Sequence, residues 1–157
     1  MNRSAQEIIA RNERREKRTG LKWKYYQPRP DHIQANGDCV MRAFTKVLDL
    51  DYEKVLSEVQ SICDEWTESN FKRSKSVKDV GAPLNIIRAF AERHGWTWRP
   101  VQGNLRPLFK AKNLPRKLCV AITTRHAVAV DNHVCLDSYD SRGDRSSVLE
   151  GFFIKKS

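Results

Sequence analysis

An α+β fold is what this sequence predicts, and two observations carry the prediction. Before Pro115, apolar residues recur at helical spacing; after it, short runs of Val, Ile, Ala and Cys alternate with turn residues. Helices therefore come first and strands after them, an order that packs helices against an antiparallel sheet instead of interleaving them with its strands. The chain has 157 residues, with four Trp, four Tyr and six Phe, enough for one domain with large side chains in its core.

The elements follow in order. Residues 4–18 carry a helix signal, with Ser4 as N-cap and Glu7 three positions on, the arrangement of a capping box. Its apolar content is thin (Ile8, Ile9, Ala10), and Gly20 ends it. Leu21 to Tyr26 is aromatic and basic. The turn Gln27-Pro28-Arg29-Pro30-Asp31 then divides a basic arm, residues 1–30, from a domain over residues 31–157. The first domain helix runs from Cys39 to Leu48. A second spans 52–63, with Val55, Leu56, Val59 and Ile62 on one face. Residues 67–80 are polar and basic and predict a mobile loop. Gly81-Ala82-Pro83 opens a third helix, Pro83 suiting a first turn, and Gly95 follows its end. Trp96–Pro100 predicts a short strand, and residues 105–113 predict no element. Strands are expected at 118–124, 126–130, 133–137 and 148–155.

Charge and cysteine usage narrow the function. The net charge is +10. Residues 1–30 hold nine Lys/Arg and three Glu, a net +6, so the excess is concentrated in the arm. Arg11, Arg14, Arg15, Lys17 and Arg18 cluster on two turns. Lys22 and Lys24 alternate with Trp23 and Tyr25. Such a segment could grip nucleic acid or an acidic protein, bases stacking on the aromatics while the cations neutralise phosphate; it could equally be a solvated arm. No apolar run approaches a membrane span of roughly 20 residues, and no signal peptide is visible, so the expected location is the cytoplasm. The four cysteines are far apart in sequence and match no metal-ligand spacing. Neither a metal nor a cofactor is expected. Cys63, Cys119 and Cys135 sit in apolar contexts and predict core thiols.

Cys39 differs. It follows Gln34-Ala35-Asn36-Gly37-Asp38, and Asp38 is a good N-cap residue, so Cys39 begins a helix. Free amides and the positive end of the helix dipole favour its thiolate. Later, Val130-Asp131-Asn132-His133 predicts a two-residue hairpin turn with Asp131-Asn132 at its tip. That turn pairs 126 with 137 and sets His126 and Asp137 side by side on one face, about 5 Å apart at Cβ. A carboxylate there can hold one imidazole nitrogen and leave the other for a thiol. A slip of one residue would move Asp137 to the other face, with Asp140 then in reserve. Gln34, or alternatively Asn36, is a candidate side-chain donor to an oxyanion, beside the backbone N–H of Cys39.

Two blocks carry a family likeness. One is Asn36-Gly37-Asp38-Cys39-Val40-x-Arg42-Ala43, then Tyr52-x-x-Val55, then Gly81-x-Pro83 before a helix ending His94-Gly95-Trp96. The other is His126-Ala127-Val128-Ala129-Val130, followed by Leu136-Asp137-Ser138-Tyr139-Asp140-Ser141-Arg142. Over about residues 33–157 the chain resembles small proteins of papain-like cysteine-peptidase fold encoded by phages and mobile elements. It is more distantly similar to bacteriocin-processing peptidases, in which a Gln precedes an Asp-Cys pair. The resemblance implies Cys39 as nucleophile, His126 as base, Asp137 as orienting carboxylate and Gln34 as oxyanion donor, although the Gln-to-Cys spacing is one residue shorter than the usual six. It implies a cysteine hydrolase (peptidase, deconjugase or acyl transferase) acting on a protein or peptide, in the host cytoplasm if phage-encoded. The alternative is a non-catalytic module of the same fold whose arm binds nucleic acid or an acidic host protein.

Overall fold

A computed structural model describes residues 3–70, 72–73, 75–101, 108–142 and 148–157. The helices are α1 (Arg3–Thr19), α2 (Cys39–Leu48), α3 (Tyr52–Ser69), α4 (Val77–Val80) and α5 (Leu84–Arg93). The strands are β1 (Lys22–Tyr25), β2 (Trp96–Pro100), β3 (Cys119–Thr123), β4 (His126–Asp131), β5 (Val134–Asp137) and β6 (Leu149–Lys155). They form one six-stranded sheet in the order β1-β5-β4-β3-β6-β2. The fold is α+β. The sheet is mixed where an antiparallel one was expected, because β1 joins β5 in parallel. No helix among the described residues is long and apolar enough to cross a membrane.

Both faces of the sheet are covered, and strand alternation decides what each face receives. Val120, Ile122, Ala127, Ala129 and Phe153 point toward α2, α3 and α5, where they meet Phe44, Val55, Val59 and Phe90. Phe44 stands edge-on to both Phe90 and Phe153. The opposite face carries Cys119, Ala121, Val128, Val130 and Cys135 against Leu21, Phe109 and Leu114. Cys63, Cys119 and Cys135 are all buried. Apolar surroundings push the Cys119 thiol up to about 12.

Three boundaries differ from the sequence expectation. The helix predicted over 52–63 continues to Ser69, and α4 occupies part of the stretch predicted as a loop over 67–80. Phe71 and Ser74 of that stretch, and 105–107 of the stretch predicted without an element, lie outside the described residues; a single 3-10 turn follows at Ala111–Asn113. The first helix begins at Arg3, so Ser4 lies inside it and not at its N-cap.

The largest difference concerns the division at residue 30. Leu21 is fully buried, and β1 pairs Lys22 with Val134 through Tyr25 with Asp137. Arg142, also buried, donates to the Leu21 carbonyl at 2.8 Å and to Asn12 Oδ1 of α1. Arg15 reaches Asp140 at 3.1 Å. Residues 22–25 thus belong to the sheet, and Asn12, Arg15 and Leu21 are bonded to the loop that follows β5. The segment's charge conceals one buried Leu and a backbone ladder, neither of which net charge registers.

Candidate active site

The hairpin that carries the site turns one residue later than expected. Asn132 and His133 take the left-handed conformation, with φ of 48° and 68°, the pair of positive φ values a tight hairpin turn needs. Asp131 therefore pairs with Val134, Val130 with Cys135, and Ala129 with Leu136. Tertiary contacts favour this turn. The His133 ring meets the Leu114 carbonyl at 3.2 Å, and the His133 carbonyl accepts from the Lys22 amide at 3.0 Å. The pairing partner of each residue moves by two, so the faces are preserved. Continued past Leu136, this register sets Tyr139 opposite His126 and leaves Asp137 on the diagonal.

Diagonal contact suffices. His126 Nε2 lies 2.6 Å from Asp137 Oδ2. Asp140, the reserve candidate, is engaged elsewhere, by Arg142 at 2.7 Å and by Arg15. Burial works against its ionised form, but hydrogen bonds from Arg142 and Arg15 outweigh it and hold the carboxyl at about 2.

Cys39 opens α2, half-buried, and lines the same cavity as His126. Burial raises the thiol pKa. The His126 hydrogen bond and charge, the amide of Ala127 and the nearby Arg42 outweigh that and bring it below its ordinary value. His126 moves the other way. Burial favours its neutral form, yet hydrogen bonds to Asp137 and Cys39 raise it to about 9. Asp137 is only 3% exposed. Burial pushes its carboxyl up, but His126, Arg42 and the Ser138 amide bring it below the usual carboxylate range. The combination favours a thiolate beside an imidazolium.

Two residues not assigned a role from the sequence complete the cluster. Arg42, one turn after Cys39 and 8% exposed, bridges two carboxylates: its Nε donates to Asp38 Oδ1 at 3.0 Å and its Nη1 to Asp137 Oδ1. Asp38 also accepts from Tyr52 at 2.8 Å and Arg29 at 3.3 Å. No side-chain cap hydrogen bond comes from Asp38; its carboxylate serves this network, contrary to its expected capping role. A signal for Arg42 was present, since an Arg inside the apolar run Val40-Met41-x-Ala43-Phe44 needs a buried partner. The second residue is Tyr139, whose hydroxyl lies 3.1 Å from His126 Nδ1, with the two rings 5.2 Å apart. It became visible only with the corrected register.

Gln34 is not brought to the site. It is exposed, its backbone carbonyl accepts from Lys78 Nζ at 2.8 Å, and it does not line the cavity that contains Cys39 and His126. Asn36 is exposed as well, its amide donating to the Lys78 carbonyl at 3.2 Å. Gly37 explains how this loop sits so close to α4. A Cβ there would lie 2.9 Å from the Asp79 carbonyl oxygen, so a side chain would displace the approach to Cys39. The remaining oxyanion donor from the sequence is the Cys39 amide, at a helix start where amides have no intrahelical partner.

Among the basic candidates, Arg11, Arg14, Lys17, Lys22 and Lys24 are exposed. Arg15 binds Asp140, and Arg18 reaches the Arg142 carbonyl at 3.5 Å. Among the described residues no group of three or more His, Cys, Asp or Glu side chains is placed to hold a metal ion.

Cys39 and His126 line a cavity of about 610 Å³ between α3, α5, the 80–84 segment and the β3–β4 turn. No protein family, curated protein or solved structure matches the chain.

Proposed function

We propose that the chain is a papain-like cysteine hydrolase acting on amide or thioester bonds. The observation that carries this reading is the imidazole of His126, bonded through Nε2 to Asp137 and lining, together with a thiol at a helix N-terminus, one open cavity. Asp137 occupies Nε2, which leaves Nδ1 to exchange a proton with Cys39.

The chemistry follows from that assignment. The Cys39 thiolate attacks the substrate carbonyl carbon, and the carbonyl electron pair moves to oxygen, where the Cys39 amide is placed to donate. Collapse of the tetrahedral adduct breaks the C–N or C–S bond. The leaving group takes the proton from His126, and an acyl-thioester on Cys39 remains. His126, now neutral, removes a proton from water as the water attacks. The acid product departs, and the thiolate and imidazolium are restored. Asp137 keeps the ring oriented throughout, and Arg42 keeps Asp137 in place.

Alkylation by iodoacetamide, read by intact mass and peptide mapping, tests this reading. Cys39 is expected to react at least about 100-fold faster at pH 6.5 than the three buried thiols, and His126→Ala should slow it at least tenfold. Equal, slow labelling of all four cysteines would refute it. A second reading keeps one observation of its own: Arg11, Arg14 and Lys17 project from α1 near the exposed Ile8 and Ile9. Nucleic-acid binding there would be salt-dependent and indifferent to Cys39→Ala.

A further inference from the structure

The cavity beside Cys39 extends well beyond the reacting groups. At about 610 Å³ it lies within the ~300–1,000 Å³ that accommodates a whole small ligand or a few residues of peptide. Much of its wall is apolar. Cys63, Ile87 and Ile122 are buried, while Trp66 and Leu84 keep large apolar surface exposed. Four exposed cations also line it: Lys72, Arg73 and Lys75 from the segment after α3, and Arg125 from the β3–β4 turn. Glu150 is the single acidic residue among the described lining residues. Lys72 already stacks on Trp66, its Nζ 5.0 Å from the ring centroid, so apolar and cationic surface are interleaved.

Resting on the hydrolase reading, we propose that this cavity selects acidic peptide segments: a bulky apolar residue next to the carbonyl that Cys39 attacks, flanked by Asp or Glu. The apolar wall takes the bulky side chain. Cations from two separate segments meet carboxylates on either side of it. The chain's net charge of +10 draws acidic partners toward the same mouth. A peptide fits better than a hydrocarbon acyl chain because the exposed Thr124 and four cationic side chains also line the cavity. A peptide's amides and carboxylates can pair with those groups, whereas a hydrocarbon chain would desolvate them without replacement.

Peptidyl vinyl sulfones, which form a thioether with the attacking cysteine, provide the test. Two probes share a Leu beside the electrophile and differ in flanking Glu or Lys; Cys39 labelling is followed by intact mass. The Glu probe is expected to react about tenfold faster at low salt, with the preference shrinking toward 0.5 M salt as exposed charges are screened. The double variant Lys75→Glu/Arg125→Glu changes only exposed side chains and should reverse the preference. Iodoacetamide needs no cavity and runs in parallel. Fast, His126-dependent alkylation with no preference between probes would overturn the acidic-peptide inference alone. Slow alkylation of Cys39 would overturn the hydrolase reading beneath it. A long-chain acyl electrophile outpacing both peptides would assign the cavity to a hydrocarbon chain and overturn the inference as well.

Discussion

The charged groups around Asp137 and those of the N-terminal segment obey different physics. Asp38, Arg42 and Asp137 are buried and ion-paired, whereas Arg11, Arg14 and Lys17 are exposed to water. A buried charge holds its neighbours in fixed positions because leaving any of them unpaired is costly. An exposed charge fixes nothing and is screened by salt. Charge counted along the sequence treats the two alike. The structure separates them, and it also places apolar anchorage inside the more basic segment, at Leu21.

The strongest test of that contrast is Arg42→Met. Removing the guanidinium takes the cation that bridges two buried carboxylates, leaving Asp38 to Arg29 and Tyr52 and Asp137 to His126, and the expected cost is about 3–5 kcal/mol in urea denaturation. Arg11→Met, on the exposed side of the comparison, should cost less than about 0.5 kcal/mol. A loss under about 1 kcal/mol at Arg42 would mean that Tyr52, Arg29 and His126 satisfy the two carboxylates without it.

Truncation sharpens the comparison within the N-terminal segment itself. Deleting residues 1–26 removes Leu21 and the strand paired with β5, and a loss of about 3 kcal/mol is expected, roughly the burial of one Leu plus part of a hydrogen-bonded ladder. Deleting only 1–10 removes the exposed Ile8 and Ile9 and should shift the melting temperature by a few degrees at most. If the longer deletion were as mild as the shorter one, the segment would be separable, as the boundary at residue 30 expects.

What the sequence disclosed follows the same division. Local rules were enough to place Cys39 at a helix start, because Asp38 and the apolar period of 40–48 are contiguous signals. The hairpin, even one residue off, put His126 and Asp137 on one face. The hairpin turn was one residue off because His133 is held by Leu114 and Lys22, contacts that arise only once the chain is folded. The even shift spared the facing of His126 and Asp137 but concealed Tyr139. Gln34 was expected both from its place five residues before Cys39 and from the family likeness; here the loop is pinned through Gly37 to α4, and Gln34 does not line the cavity. The ladder of β1 on β5 joins residues more than 100 apart in sequence, which no window of periodicity spans.

The charged network should also show in the pH dependence of stability. His126 is held at about 9, above its unfolded value of about 6.5. A raised pKa gives a contribution that is complete below about 6.5 and disappears as pH rises through about 9. Asp137, held below its ordinary value, contributes above the ordinary carboxylate range and loses that contribution as pH falls through its folded value. The gap in unfolding free energy between wild type and His126→Gln should therefore be widest near pH 5–6.5. It should narrow by on the order of 3 kcal/mol by about pH 9–10. A gap that widened with pH would mean that His126 is stabilised in its neutral form.

The smallest effect concerns Tyr139, and it has a sign worth fixing. Tyr139 is 52% exposed, so Tyr139→Phe should change stability by less than about 0.5 kcal/mol. Its hydroxyl nevertheless sits 3.1 Å from His126 Nδ1, the nitrogen that Asp137 leaves to the thiol. When His126 is charged, Nδ1 carries one proton, and the Tyr139 oxygen and the Cys39 sulfur compete for it. Removing the hydroxyl gives that hydrogen bond wholly to the thiolate. The midpoint of Cys39 alkylation against pH should then fall by a few tenths of a unit, with the rate at pH 5.5 rising about twofold. A shift in the opposite direction would show that the hydroxyl holds the ring toward Cys39, so that Tyr139 positions His126 and does not compete with the thiolate.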